Sequence, residues 1–223
     1  MIALFDVTIP HWEGGEPVVC GLSLRMDESS WHEIVGPADS GKTALFDVLT
    51  LRRRPTKGKL VVAGRNVDRL KKGGLAKVRR DLGSCPQRPA LLWERTAIEN
   101  VVLPMVVRGD REDALQAAEE VLGFLGIMHE RDRPIAQMSS QCRALVGVAM
   151  ATVGAPKVIV IDGIVEQLEP GQRGVVLSWL ERLRKKGSTI VLLGRRPTNR
   201  RCDPVVWRLR DGAIERTGEV ERC

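Results

Sequence analysis

Residues Trp31 to Leu51 read WHEIVGPADSGKTALFDVLTL, and this stretch decides the fold. The apolar pair Ile34-Val35 leads into Gly36-Pro37-Ala38-Asp39-Ser40-Gly41-Lys42-Thr43, and Ala44 opens a helix-like segment. The pattern is G-x-x-x-x-G-K-[ST], set where it needs to be, between a strand and a helix. Glycines let the backbone curl so that successive N–H groups point inward at phosphate oxygens. The helix after Gly41 adds the positive end of its dipole, Lys42 a point charge, and Thr43 a hydroxyl for Mg²⁺. Leu45, Val48 and Leu49 fall on one helix face, which would pack the loop against a sheet. The stretch predicts a site for a nucleoside triphosphate.

Composition bounds what surrounds this loop. At 223 residues the chain suffices for one large domain with a sizeable core. Hydrophobic residues at 43% and charged residues at 28% describe a soluble globular chain. The five cysteines are scattered without a C-x-x-C pair, which suits a reducing compartment. The N-terminus shows no basic region followed by a long apolar run, so no signal peptide is expected. The longest uncharged run, Ala144 to Pro156, is too short to cross a bilayer and reads as a buried helix. Any membrane role is therefore expected to be peripheral. The net charge of +7 permits nucleic acid, anionic lipid or a phosphorylated ligand without selecting one. With three Phe, no Tyr and no recognition module, the arginine clusters at 52–54 and 195–201 read as solvated basic faces.

Along the chain, residues 2–8 and 18–26 alternate with period two around a turn-rich stretch, which predicts an antiparallel pair. Lys59 to Ala63 and Arg80 to Cys85 are further strand candidates. From Thr96 to Gly126 apolar residues recur at three- and four-residue spacing, a helical pattern. Another helix is expected after Ser139, whose hydroxyl suits an N-cap. Val158-Ile159-Val160-Ile161 reads as a strand buried on both faces and runs into Asp162. Residues 174–185 read as helix, Thr189 to Leu193 as strand, and the end as a hairpin turning at Asp211-Gly212. Alternating strands and helices predict an α/β fold with a parallel core sheet, preceded by an antiparallel β region. We expect one domain over 1–223: a core and β subdomain at 1–91 and 151–223, and an inserted helical subdomain at 92–150.

An Asp ending a buried strand is the second half of a phosphate–magnesium site, because Asp162 and Thr43 would flank one metal. In this order the motifs resemble those of the ATP-binding cassette (ABC) transporter ATPases, over nearly the whole chain. VGPADSGKTALFDVLT is similar to their Walker A segment, and DLGSCPQRPALLWERTAIENVVLPM to their Q-loop, with Gln87 as its glutamine. PIAQMSSQCRALVGVAMA stands at their signature motif, VIVIDGIVEQLEP resembles Walker B with the D-loop, and TIVLLGRRP stands at the switch-histidine strand. The wording TAIENVVLP leans toward the lipoprotein-release, macrolide-export or cell-division type. The resemblance implies an ABC-type P-loop fold binding ATP and Mg²⁺, with Thr43, Gln87 and Asp162 at the metal. It also implies an aromatic stacked on adenine, either His11 or, with its larger face, Trp12.

The departures matter as much. The glutamate that follows the Walker B aspartate, which polarises the attacking water, is Gly163 here; the switch histidine is Arg195. The signature L-S-G-G-Q is Met138-Ser139-Ser140-Gln141-Cys142, and the D-loop aspartate is Glu169. Losing a positioned general base removes about 10²–10⁴ in rate. Glu166 and Glu169 lie near in sequence but several residues past the family position. Arg195 could still meet a γ-phosphate as a fixed cation. Family members dimerise head to tail, so Ser139, Ser140 and Gln141 would contact the partner's ATP, where added side chains obstruct close backbone approach. The sequence therefore predicts an ATP-binding subunit, in a homo- or heterodimer, coupled to a membrane permease, with weak or absent hydrolysis and no nucleic acid. The alternatives are an active ABC ATPase and a nucleic-acid-associated P-loop protein.

Overall fold

Short β-branched runs alternate with helices along the chain, and a computed structural model describes residues 1–11, 16–198 and 204–216. An antiparallel pair, β1 (Ile2–Ile9) and β2 (Val19–Met26), precedes β3 (Trp31–Val35) and α1 (Lys42–Leu49). β4 (Lys57–Val62), the two-residue β5 (Arg65–Asn66), α2 (Lys72–Arg80) and β6 (Leu82–Cys85) follow. Three helices come next, α3 (Ala97–Arg108), α4 (Ala114–Phe124) and α5 (Ser140–Thr152). β7 (Val158–Asp162), the one-turn α6 (Ile164–Gln167) and α7 (Pro170–Lys185) lead to β8 (Thr189–Gly194) and the hairpin β9 (Val205–Arg210) and β10 (Ala213–Arg216).

The strands form a six-stranded sheet in the order β10-β9-β3-β8-β7-β6 and a four-stranded antiparallel sheet in the order β2-β1-β4-β5. In the larger sheet β9, β3, β8, β7 and β6 run parallel, and β10 is antiparallel to β9. Side chains on a strand alternate between faces, so the sheet separates two cores. Ile159, Ile161, Ile190 and Leu192 face α3, α4, α5 and α7. Val158, Val160, Val191 and Leu193 face α1 and the antiparallel sheet. Each such fully buried side chain contributes roughly 1.5–3 kcal/mol relative to exposure, which is why unbroken apolar runs become the interior strands.

β3 buries two polar residues, His32 and Glu33, among these apolar neighbours. His32 is satisfied as a neutral ring. The Trp207 indole, a donor only, gives its N–H to Nδ1 (3.1 Å), which leaves Nε2 to donate to Ser30 Oγ (2.8 Å). Burial, first, with Arg216 lowers its pKa to about 4 against the opposing pull of Asp27.

Parallel strands have a consequence for function. Their carboxyl ends share one edge, so the segments after β3, β6, β7 and β8 all emerge together, the usual place for a ligand in such sheets.

Several local expectations shift. Residues 72–80 form α2, which the sequence did not show, and Arg80 belongs to it rather than to β6. The segment carries four basic residues and two glycines, and among its described side chains only Val78 is fully buried, so no helical apolar period is visible. α7 begins at Pro170 rather than 174, because proline's fixed φ suits the first turn. The helix expected over Ala144 to Pro156 ends at Thr152, and the 96–126 region divides between α3 and α4.

Candidate functional site: a phosphate cradle at the carboxyl edge

Four loops from the parallel strands enclose a cavity of about 440 Å³. Ala38, Asp39, Gly41, Lys42, Thr43 and Ala44 line one side of it, and Gln87, Asp162, Gly163, Glu166, Gly194 and Arg195 the other. Gly36, Pro37 and Ser40 of the same loop do not line the cavity. Lys42 Nζ donates to their oxygens, at 2.9 Å for Gly36 O, 2.5 Å for Pro37 O and 3.0 Å for Ser40 Oγ. The loop is thus wrapped around the ammonium that its sequence supplies. Asp39 and Gly41 adopt left-handed φ of 61° and 95°, and such alternation turns consecutive N–H groups inward as an anion nest. Aspartate tolerates that conformation better than most side chains, and glycine adopts it freely.

Residues far apart in sequence close the site. Thr43 Oγ1 donates to Asp162 Oδ2 at 3.1 Å, so the start of α1 and the end of β7 present a hydroxyl and a carboxylate to one point. Burial raises the Asp162 pKa, while the Thr43 hydrogen bond and the Lys42 charge draw it back down. Burial likewise lowers the Lys42 pKa, against the pull of Asp162 and Glu166. Opposed charges set into a cleft against their own desolvation are what a binding site for a charged ligand would present.

The donor set suits a hard cation carried by phosphates. Mg²⁺ keeps several waters and takes one or two protein ligands beside phosphate oxygens. Thr43 and Asp162 meet at one point and Gln87 lines the same cavity, so these residues would offer oxygens to such an ion, and the described residues contain no cluster of three His, Cys, Asp or Glu side chains.

The position after Asp162 is built differently. Gly163 sits at φ 62°, ψ −13°, as the N-cap of α6, with its N–H donating to Leu193 O at 2.8 Å. A Cβ there would lie 3.4 Å from Gln87 Cγ, which is ordinary contact, so space exists where no side chain stands.

Of the remaining expected residues, His11 lines the cavity, whereas Trp12 lies outside the described residues. Ser139 caps α5 by accepting from Cys142 N (3.1 Å), and neither it, Ser140 nor Gln141 borders the cavity. Gln141 turns toward its own chain: Nε2 donates to Gln167 O (3.0 Å), and Gln167 Nε2 in turn donates to Gln87 O (3.4 Å). Glu169 is the N-cap residue of α7 and does not face the cavity. Glu166 does, and its carboxylate accepts the backbone N–H of Arg195 (2.5 Å) and Arg196 (3.2 Å). Sequence reading considered Glu166 only as a stand-in base. Its grip on a backbone 29 residues away leaves no trace in spacing.

Comparison with known proteins agrees with this geometry. The ABC transporter family profile matches residues 19–165. The methionine import ATP-binding protein MetN of Geobacillus kaustophilus is 32% identical over 226 residues, covering 99% of this chain and 66% of the relative. MetN 1 of Burkholderia ambifaria is 34% identical over 174 residues, covering 77% of this chain and 51% of the relative. The chain thus spans about half to two thirds of the length of these relatives. Both are import proteins by name. Among solved structures, the bacterial ABC transporter cassette MJ0796, solved as a dimer, superposes with a TM-score of 0.88 at 25% identity. That superposition covers 97% of this chain and 98% of the cassette. With the profile spanning more than half its length, this chain belongs to the ABC transporter family.

Proposed function

We propose that this chain binds Mg-ATP in the cleft at the carboxyl edge of its parallel sheet and passes the nucleotide state to a membrane permease, with hydrolysis weak or absent. One observation carries the reading. The Thr43–Asp162 contact and the Lys42 ammonium complete a phosphate and Mg²⁺ cradle, while the next residue, Gly163, offers no carboxylate to activate water. Binding needs the first set of groups and not the second. Gly36 to Ala44 hold the phosphates, Thr43, Asp162 and Gln87 the cation, and Arg195 the outer edge. His11, which lines the cavity, or Trp12 would stack on the base.

The permease part rests on a surface. Leu92, Trp93, Leu103 and Val107 are exposed apolar side chains, two of them just past Gln87 and two on α3. They lie within one stretch of sequence, 92–107, and exposed apolar groups suit a protein partner. They fall in residues 92–150, which we take as the helical subdomain. No helix among the described residues is long and apolar enough to cross a membrane, so the spanning part of such a complex would come from elsewhere. Head-to-tail pairing with a second nucleotide-binding subunit would bring Ser139, Ser140 and Gln141 to the partner's nucleotide. We place the working assembly on the cytoplasmic face of the cell membrane.

Calorimetry with Mg-ATP, beside steady-state hydrolysis, tests the reading. Lys42→Ala should weaken binding by about 30–100-fold, the loss of a charge-assisted contact. Wild-type turnover should lie at or near the Lys42→Ala level. Equal ATP affinity in the two proteins would sink the binding claim; turnover far above the control would sink the weak-hydrolysis claim alone and favour an active ATPase.

A further inference from the structure

The segment leaving β8, residues 194–198, is gripped by two carboxylates from different parts of the chain. Glu166 Oε1 takes the N–H groups of Arg195 and Arg196, at 2.5 and 3.2 Å. At the other end the buried Glu33 of β3 takes the Thr198 N–H at 2.7 Å and the Thr198 hydroxyl. Hydrogen bonds to an ionised acceptor are roughly twice as strong as neutral ones, so both ends are firmly set. Gly194 is what lets Glu166 in: a Cβ at that position would stand 2.7 Å from Glu166 Oε1. Between the two anchors the Arg195 side chain is exposed and borders the phosphate cavity.

Resting on the nucleotide-binding reading above, we propose that Glu166 is a positioning residue. By fixing the Arg195–Arg196 backbone, it aims the Arg195 guanidinium at the terminal phosphate of a bound nucleoside triphosphate, so that this edge of the cleft separates ATP from ADP. A segment already ordered loses less conformational freedom when its side chain closes on a ligand. Glu166 also acts in the opposite direction. Its charge reaches Lys42 and Asp162, and it repels the phosphates that Arg195 attracts. The two effects come apart by substitution. Glu166→Gln keeps an acceptor oxygen for the backbone and removes the charge, whereas Glu166→Ala removes both. Gly194→Ala is an independent route to the same loss, because its methyl group displaces the far end of the Glu166 side chain rather than any backbone.

Two measurements on the full chain decide it. In nucleotide-free protein, the Arg195 and Arg196 amides should exchange slowly in wild type and Glu166→Gln, and about tenfold faster or more in Glu166→Ala and Gly194→Ala. In calorimetry with Mg-ATP and Mg-ADP, Glu166→Ala, Gly194→Ala and Arg195→Ala should each cut the preference for ATP by about tenfold, and Glu166→Gln should retain or exceed it. The Glu166→Ala/Arg195→Ala double variant should lose no more than either single variant, since one residue acts through the other. Identical behaviour of Glu166→Ala and Glu166→Gln would reduce the role to charge and overturn the proposal. So would additive losses, or amide exchange that ignores Glu166. Turnover abolished in both variants with the ATP preference intact would make Glu166 a general base instead. A wild-type chain that binds neither nucleotide refutes the underlying reading, and this proposal with it.

Discussion

Placing a carboxylate at position 163 tests why this cleft should hold a nucleotide without cleaving it. Gly163 has φ 62° and ψ −13°, so any other residue there pays about 1–2 kcal/mol for the left-handed backbone. No steric charge adds to this, because the new Cβ meets Gln87 Cγ at 3.4 Å. In a domain of this size the strain should lower Tm by about 2–8 °C, equally in Gly163→Ala and Gly163→Glu. Catalysis should move the other way. A base positioned against Gln87 on the cavity wall restores up to about 10²–10⁴ in rate, and Arg195→His supplies the ring absent from the outer edge. We expect the Gly163→Glu/Arg195→His variant to hydrolyse ATP at about 10² times the wild-type rate or faster, measured by phosphate release at saturating Mg-ATP. Gly163→Ala should match its stability loss without the gain. If the double variant folds, binds ATP and stays within about tenfold of wild type, the reasoning fails. The limit would then lie in Ser140 and Gln141 or in an absent partner.

Two further outcomes follow from the fold. Gly83→Ala should cost about 3 kcal/mol or more in urea unfolding, because its Cβ would lie 1.7 Å from Ala151 O and 2.8 Å from Pro156 Cγ, where α5 and its exit pack on β6. His32 should make the protein acid-sensitive. Its folded pKa of about 4 lies below the usual 6.5, so the unfolded chain binds the extra proton between those values. Stability from this group is complete above pH 6.5 and falls by up to about 3 kcal/mol as pH drops to 4. Urea midpoints should show this slope in wild type and a shallower one in His32→Asn; equal slopes would place the acid sensitivity elsewhere.

The local half of the site was legible because its physics is local. Gly36 to Thr43 carry their own turn chemistry, anion nest and helix dipole within eight consecutive residues, and Val158 to Ile161 announce a strand buried on both faces. The empty side-chain position at Gly163 could also be read directly. α2 could not, since its residues are polar on nearly every side and show no apolar period. Nor could the contacts that make the parts a site. Thr43 meets Asp162 across 119 residues, Glu166 holds Arg195 across 29, and Gln141 and Gln167 link α5 to Gln87.

The sequence by itself determined which groups the motifs bring to the cleft: the phosphate loop, the strand-ending aspartate, and no carboxylate directly after it. Only the tertiary structure decided what those groups do to one another. Parallel pairing brings the ends of β3, β6, β7 and β8 to one edge, and side-chain hydrogen bonds act over about 3 Å whatever the distance along the chain.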